Sequence, residues 1–382
     1  GEYVYLTEAY GPTWGFMTGW VSFFAGFSAP IALAALAFSD YLGYFFPQVR
    51  ESSAQYLIGS GAWAIRVGGA QAVACALVAV FTLVNCMGVR EVARIQNVLT
   101  GGKVLVIVCF LAAGFVFGHG SVAHFSQPAI RTTATPLAAQ FAISLFFIYV
   151  GYSGWNAATY IAEELKQPAR TLPVALATGT VLVAVLYVAL NLLFIYSVPL
   201  EEMKGVVAIG SLSASHLFGP GVAGVFSAAM ALSLMATVNA MVTIGPRVYY
   251  AMAKNGAFFS AAARVGRRSH TPFIAILCQG VCTMLMTVTP FPSLLIYIGF
   301  TLNFFAVMSV ASLFIFRRRG GWRKLKVVSF AWPLIPAFFV VVGVWMTIFG
   351  ISLEPRISLA AVVTVVTGAA VYRLRLRRQP AR

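Results

Sequence analysis

Ten long apolar runs dominate this chain and leave it few folds to adopt. They fall at about 13–38, 68–88, 103–118, 137–160, 172–197, 221–246, 273–290, 293–316, 330–350 and 355–373, each bounded by Gly, Pro or charge. A helix of about 20 apolar residues crosses a bilayer, and the third and seventh runs lie near the lower limit. In hydrocarbon every backbone amide must find its partner inside the protein, so spanning segments are helices or closed barrels. Barrels need short alternating strands, and these runs are continuous. The expectation is an all-α integral membrane protein with ten transmembrane helices, a single polytopic domain over residues 1–382.

Composition agrees. Of 382 residues, 60% are hydrophobic and 9% charged, whereas a soluble domain carries roughly 45–50% apolar and about 25% charged residues. This excludes a cytosolic enzyme, a secreted disulfide scaffold and a disordered tail. The formal charge of +16 would point to nucleic acid in a soluble protein. Here the basic residues sit between apolar runs and act on topology, so the partner is the lipid bilayer and not nucleic acid. Monomer and homo-oligomer are equally compatible with the sequence.

Alternate connections differ sharply in charge. Of the 26 Lys and Arg residues, 21 lie at 89–103, 163–172, 247–272, 317–328 and after Tyr372, and 5 lie in the intervening loops. The bias puts the Arg317–Arg319 loop, the C-terminus and the first residues in the cytoplasm. The plasma membrane is the expected location.

Catalytic or cofactor chemistry has no foothold. The five cysteines (Cys75, Cys86, Cys109, Cys278, Cys282) lie in apolar runs without a C-x-x-C pair and read as buried hydrophobes. The histidines His119, His124, His216 and His270 fall in loops, so no intramembrane His pair binds a metal or haem. No phosphate loop is present. Asp40, Glu163, Glu164 and Glu354 sit at run ends, leaving no mid-span carboxylate for a proton relay. What remains is backbone and hydroxyl chemistry.

The fourth run contains Val150-Gly151-Tyr152-Ser153-Gly154. Each glycine costs about 1 kcal/mol of helix propensity relative to Ala, and Ser153 offers the backbone a competing hydrogen bond. A break here would expose carbonyls at the end of one half-helix and amides at the start of the next, a fit for the ammonium and carboxylate of a zwitterion. The same glycines equally suit close helix packing. In the first run Gly15, Gly19, Ser22, Gly26 and Ala29 form one narrow stripe on a 3.6-residue period, for packing or for lining a path. Ser233 and Thr237 lie one turn apart and either coordinate an ion or bond back to their own helix. Lys103 opens the third run and either snorkels to water or reaches inward. Asn239 and Asn303 suit interhelical hydrogen bonds. Residues 89–103 alternate apolar and polar at helical spacing, as in an interfacial helix.

Four segments together resemble the amino acid–polyamine–organocation permeases. They are Gly1–Leu6 with Tyr10–Trp20; Asn85–Arg90 with Arg94–Thr100 and Lys103; Gly154-Trp-Asn with Tyr160–Glu164, Lys166, Pro168, Arg170 and Pro173; and Gly245–Gly256. The resemblance implies a LeuT-type fold of two inverted five-helix repeats. Residues 13–197 would then hold the remainder of the first repeat plus the first helix of the second and its successor. Residues 221–316 would hold the rest of the second repeat, and 330–373 two additional helices. On that alignment the ten runs are family helices three to twelve, so the chain is expected to lack the first two helices and, with them, half of the substrate site. Val150 to Gly154 become the unwound stretch, with Val150 and Tyr152 shaping the pocket. Ser22 and Gly26 face it, and the first and sixth runs pack around it. Lys103 puts its ammonium near Ser233 and Thr237, where sodium-coupled relatives hold an ion. No metal and no cofactor is implied.

The resulting expectation is sodium-independent secondary transport of amino acids by alternating access, proton-linked, exchanging or facilitated. An ion channel is one rival, and the absence of mid-span acids for a charged ring speaks against it. A non-transporting membrane partner protein is the other.

Overall fold

The computed structural model describes residues 2–53, 56–59, 64–88, 92–127, 133–155, 158, 165–254, 256–266, 271–321 and 331–376, with the side chains of 92–100 and 375–376 outside that description. Each apolar run forms helix within these bounds. The first is a continuous rod: α2 (Pro12–Val21), a π-helical stretch (Ser22–Ser28) and α3 (Ala29–Leu42), preceded by α1 (Glu2–Tyr10). Then come α4 (Gly69–Met87), α5 (Val92–Phe117), α6 (Leu137–Gly151), α7 (Pro168–Ser197), α8 (Ile209–Phe218), α9 (Pro220–Lys254), α10 (Phe273–Met286), α11 (Phe291–Phe316), α12 (Leu334–Leu353) and α13 (Pro355–Val371). Seven of these rods are long and apolar enough to cross a membrane, and Gly101–Phe117, Leu137–Gly151 and Phe273–Met286 are shorter apolar helices.

Three features depart from the linear reading. The interfacial segment and the third run are one helix, α5, and the sidedness expected of residues 89–100 lies outside the described side chains. His216 lies on α8, a short helix between two spans, rather than in a loop. A two-stranded antiparallel hairpin, β1 (Tyr56–Ile58) with β2 (Ile65–Val67), pairs Tyr56 with Val67. It is pinned by buried Glu51, whose carboxylate accepts from Arg66 Nη1 and from the Phe291 amide, each at 3.0 Å. The second bond satisfies a free amide at the start of α11, where a negative charge is favoured.

The expected small-residue stripe is also corrected. Pro30 has no amide to give its own helix, and just before it the ladder lengthens, with the Ala29 amide bonding to the Phe24 carbonyl five residues back. This π turn changes the period and splits the stripe. A side chain at Gly15 would run into Thr7 of α1, one at Gly19 into Met252 of α9, and one at Gly26 would meet only Ser22.

The main core joins α3, α4, α9, α10 and α11 through Ala29, Ala32, Ala35, Leu36, Val78, Val238, Val242, Ile276 and Ile298. Small residues let helices approach where lipid supplies no hydrophobic drive. Interhelical polar bonds add to this: Asn85 Nδ2 donates to Asn239 Oδ1 at 3.1 Å, and Asn303 Nδ2 to the Gly343 carbonyl at 2.9 Å. By contrast α7 is a rim helix, with Val181, Leu182 and Val185 each more than 60% exposed.

α6 lies against α11 and α12. Phe146 of α6 is fully buried in a notch between Gly299 of α11 and Gly350 of α12, where a Cβ on Gly299 would come within 2.9 Å of the Phe146 carbonyl. Gly299→Val is therefore expected to force α6 off α11 and cost about 1–3 kcal/mol as overpacking. The thermal midpoint of the purified protein reads this out, and Gly101→Ala, facing open space, is the control that should not lower it.

Candidate functional site

The fourth run does not continue as one helix. The Tyr152 amide still reaches the Ile148 carbonyl at 3.1 Å, but the Ser153 amide bonds to Val150, three residues back, at 3.1 Å. Ser153 Oγ donates to the same carbonyl at 2.7 Å. Gly154 then adopts φ +94°, a conformation that excludes most side-chain-bearing residues. The Gly151 carbonyl leaves the ladder and accepts from Tyr187 Oη of α7 at 2.7 Å. In lipid such a replacement donor is what makes a broken helix tolerable.

Among the described residues, neither glycine serves close packing. A Cβ on Gly151 would find ordinary contact with Tyr187 at 3.6 Å, and one on Gly154 would find open space. Beside the break lies a cleft of about 360 Å3, closed on the far side by Ala175, Gly179, Thr180, Val183 and Tyr187 of α7. Tyr152 stacks edge-on with Tyr187, ring centres 5.1 Å apart. No charged side chain lines this cleft among the described residues.

The expected pocket residues are only partly brought together. Gly151, Tyr152, Ser153 and Gly154 line the cleft. Val150 turns the other way, packing against the main core. Ser22 and Gly26 do not line the cleft. The principal neighbours of α6 are α11 and α12 rather than the first and sixth runs, and α11 in turn packs on both α3 and the π stretch. Asn156 and Tyr160–Glu164, the continuation of the motif, lie outside the described residues.

A second cluster forms where α5 meets α9. Lys103 Nζ donates to Thr237 Oγ1 at 2.6 Å. Thr237 Oγ1 in turn donates to the Ser233 carbonyl at 3.0 Å, and Ser233 Oγ donates to the Ala229 carbonyl at 2.9 Å. Both hydroxyls thus bond back to their helix, and Thr237 in addition accepts an ammonium. Lys103 reaches inward to another helix instead of extending to water. Ser233 Oγ, bonded to its own turn, is not a partner of the lysine. The two clusters are linked through α7, which packs on α5 and supplies Tyr187 to the break.

Comparison with known proteins decides the lineage. The family described as "Amino acid permease" matches residues 1–369. The chain belongs to the amino acid permease family. It is similar to the mouse (Mus musculus) b(0,+)-type amino acid transporter 1, at 28% identity over 93% of this chain and 70% of that protein. It also resembles the human (Homo sapiens) large neutral amino acids transporter small subunit 2, at 26% identity over 97% of this chain and 67% of the relative. The mouse Asc-type amino acid transporter 1 is 26% identical over 97% and 68% of the two chains. The permease is therefore a multi-pass integral membrane protein and not an enzyme.

Two parts of the permease's polar interior escape a reading of residue patterns. Tyr187 is one of two tyrosines in an apolar helix, with no spacing that announces a partner 36 positions away. Thr243 Oγ1 donates to Asn85 Oδ1 at 2.7 Å, extending the Asn85–Asn239 bond into a bridge between α4 and α9. Asn85 sits in a quoted family motif, and that is the one signal that could have found it.

The two glycines of the break should respond with opposite sign. Gly154→Ala forces a Cβ into a positive-φ position and is expected to cost more than about 1 kcal/mol. Gly151→Ala, at a helical position with room for a methyl group, should be neutral or stabilising by roughly 0.5–1 kcal/mol. Thermal unfolding of the two purified variants checks this; equal effects would mean that Gly154 is not conformationally required.

Proposed function

We propose that this permease carries neutral amino acids across the plasma membrane by alternating access, independently of sodium. The carrying observation is the interruption at Tyr152–Trp155. The carbonyl end of α6 bears partial negative charge, and the Gly151 carbonyl already holds one donor there, the Tyr187 hydroxyl. A substrate ammonium is a stronger donor for the same oxygen. The uncharged cleft walls of Ala175, Gly179 and Val183 suit a neutral side chain, and the similarity to relatives that include a large neutral amino acids transporter points the same way.

Lys103 supplies the second part of the reading. Its ammonium on Thr237 is a fixed cation at a place where a bound sodium would otherwise bridge α9 to its neighbour. A built-in charge needs no ion from solution, which favours proton-linked, exchange or facilitated transport. In this reading residues 13–197 hold the remainder of the first inverted repeat together with the first helix of the second and its successor, 221–316 the rest of the second, and 330–373 lie outside both. The 21-to-5 division of basic residues supports a cytoplasmic C-terminus.

A panel of radiolabelled amino acids taken up by vesicles, at two pH values and with or without sodium, tests the reading. Saturable, counterflow-stimulated uptake of neutral amino acids that persists in sodium-free buffer is expected. Lys103→Met should lower it at least about tenfold, since a charged hydrogen bond is worth roughly 1.5–3 kcal/mol. Uptake that requires sodium, or unitary ionic currents, would contradict it. Topology is checked by cysteine labelling. A cysteine replacing Ser121 should react only from outside, and one replacing Ser269, a position outside the described residues, only from the cytoplasm.

A further inference from the structure

One position on the α7 wall of the cleft has no reason, within its own helix, to be a glycine. Gly179 lies in the interior of α7, where glycine is disfavoured relative to alanine. Its φ is not positive, so the backbone does not require it. Among the described residues no atom lies within 4 Å of the place its Cβ would take, so no neighbouring helix needs the room. What the missing side chain leaves open is the cleft, which Gly179 lines.

Ala175, Gly179, Val183 and Tyr187 recur every fourth residue and form one ridge of α7 along the cleft, with about 6 Å of helix axis between successive members. A tyrosine on a helix points back toward the N-terminal end. The Tyr187 hydroxyl, and with it the Gly151 carbonyl that it reaches at 2.7 Å, therefore lies over the Val183 turn. Toward the C-terminal end the Tyr152 and Tyr187 rings meet edge to edge, centres 5.1 Å apart, and shut the cleft. A substrate whose ammonium takes over the Gly151 carbonyl would then direct its side chain the other way along the ridge, onto Gly179. That placement rests on the proposed transport of neutral amino acids, in which this carbonyl receives the ammonium. We propose that Gly179 is the residue that sets the largest side chain this permease accepts.

The test measures initial uptake of radiolabelled leucine and alanine by vesicles containing the full chain, and reads the ratio of the two rates. One methylene of misfit in an apolar pocket discriminates by roughly 10–200-fold. Gly179→Ala should therefore lower the leucine-to-alanine ratio about tenfold, and Gly179→Val further, by roughly a hundredfold. Ala177→Val adds its bulk two residues away, on the other side of the helix and outside the cleft lining, and should leave the ratio as it is. Should the valine variant fail to fold, Gly179→Ala still decides, because it installs the residue that helices favour most. An unchanged ratio in the Gly179 variants, an equal drop in Ala177→Val, or exclusion of leucine by the unaltered protein would each overturn the size limit while neutral amino acid uptake itself stands. Uptake of neither amino acid by the unaltered protein would contradict the transport function, and the size limit with it.

Discussion

A peptide group in hydrocarbon has no water to fall back on, and each unmet donor or acceptor there costs several kcal/mol. Two irregularities in this permease are shaped by that constraint. Where Pro30 has no amide to give, the rod preceding it rewinds as a π stretch instead of breaking. Where α6 stops at Gly151, two hydroxyls step in: Ser153 Oγ on the Val150 carbonyl and Tyr187 Oη on the Gly151 carbonyl. The helix is interrupted at a place where the protein supplies substitutes, and those substitutes are single hydroxyls that a stronger donor can replace.

That view joins the two polar clusters into one device. α7 is a rim helix, little buried along its length, yet it touches the break through Tyr187 and packs on α5, which carries Lys103. α9 is held from two sides, by Lys103 on Thr237 and by Asn85 on Asn239 and Thr243. Movement of α5 or α7 relative to the tightly packed core of α3, α4 and α10 would change the break and the lysine bond together. Alternating access needs a coupling of this kind between a binding region and a mobile element.

Much of the fold was legible from apolar runs alone, because the bilayer enforces helix and its thickness sets the length. Each of the ten runs contains helix, although three of these helices are short. The interruption at Gly151–Gly154 was legible as well, since two glycines and a serine weaken the ladder locally. Other features depend on what packs against what. The stripe from Gly15 to Ala29 presupposed a constant period, and the π stretch at Ser22–Ser28 interrupts it. Val150 was grouped with the break because it adjoins it in sequence, yet one position on a helix end is enough to turn a side chain toward the core. Tyr187 could not be found because its partner lies on another helix at no regular spacing. The Lys103–Thr237 bond was anticipated through family resemblance; from composition alone a lysine near a run boundary points to water.

The claim at the centre of this account is that substrate engages the unwound backbone at Gly151–Trp155. Hydrogen–deuterium exchange of the purified permease, measured segment by segment with and without a saturating neutral amino acid, tests it most directly. The account predicts that substrate slows exchange in the peptide covering residues 150–155 more than in any other connection between helices. Unchanged exchange there, with protection appearing elsewhere, would contradict it.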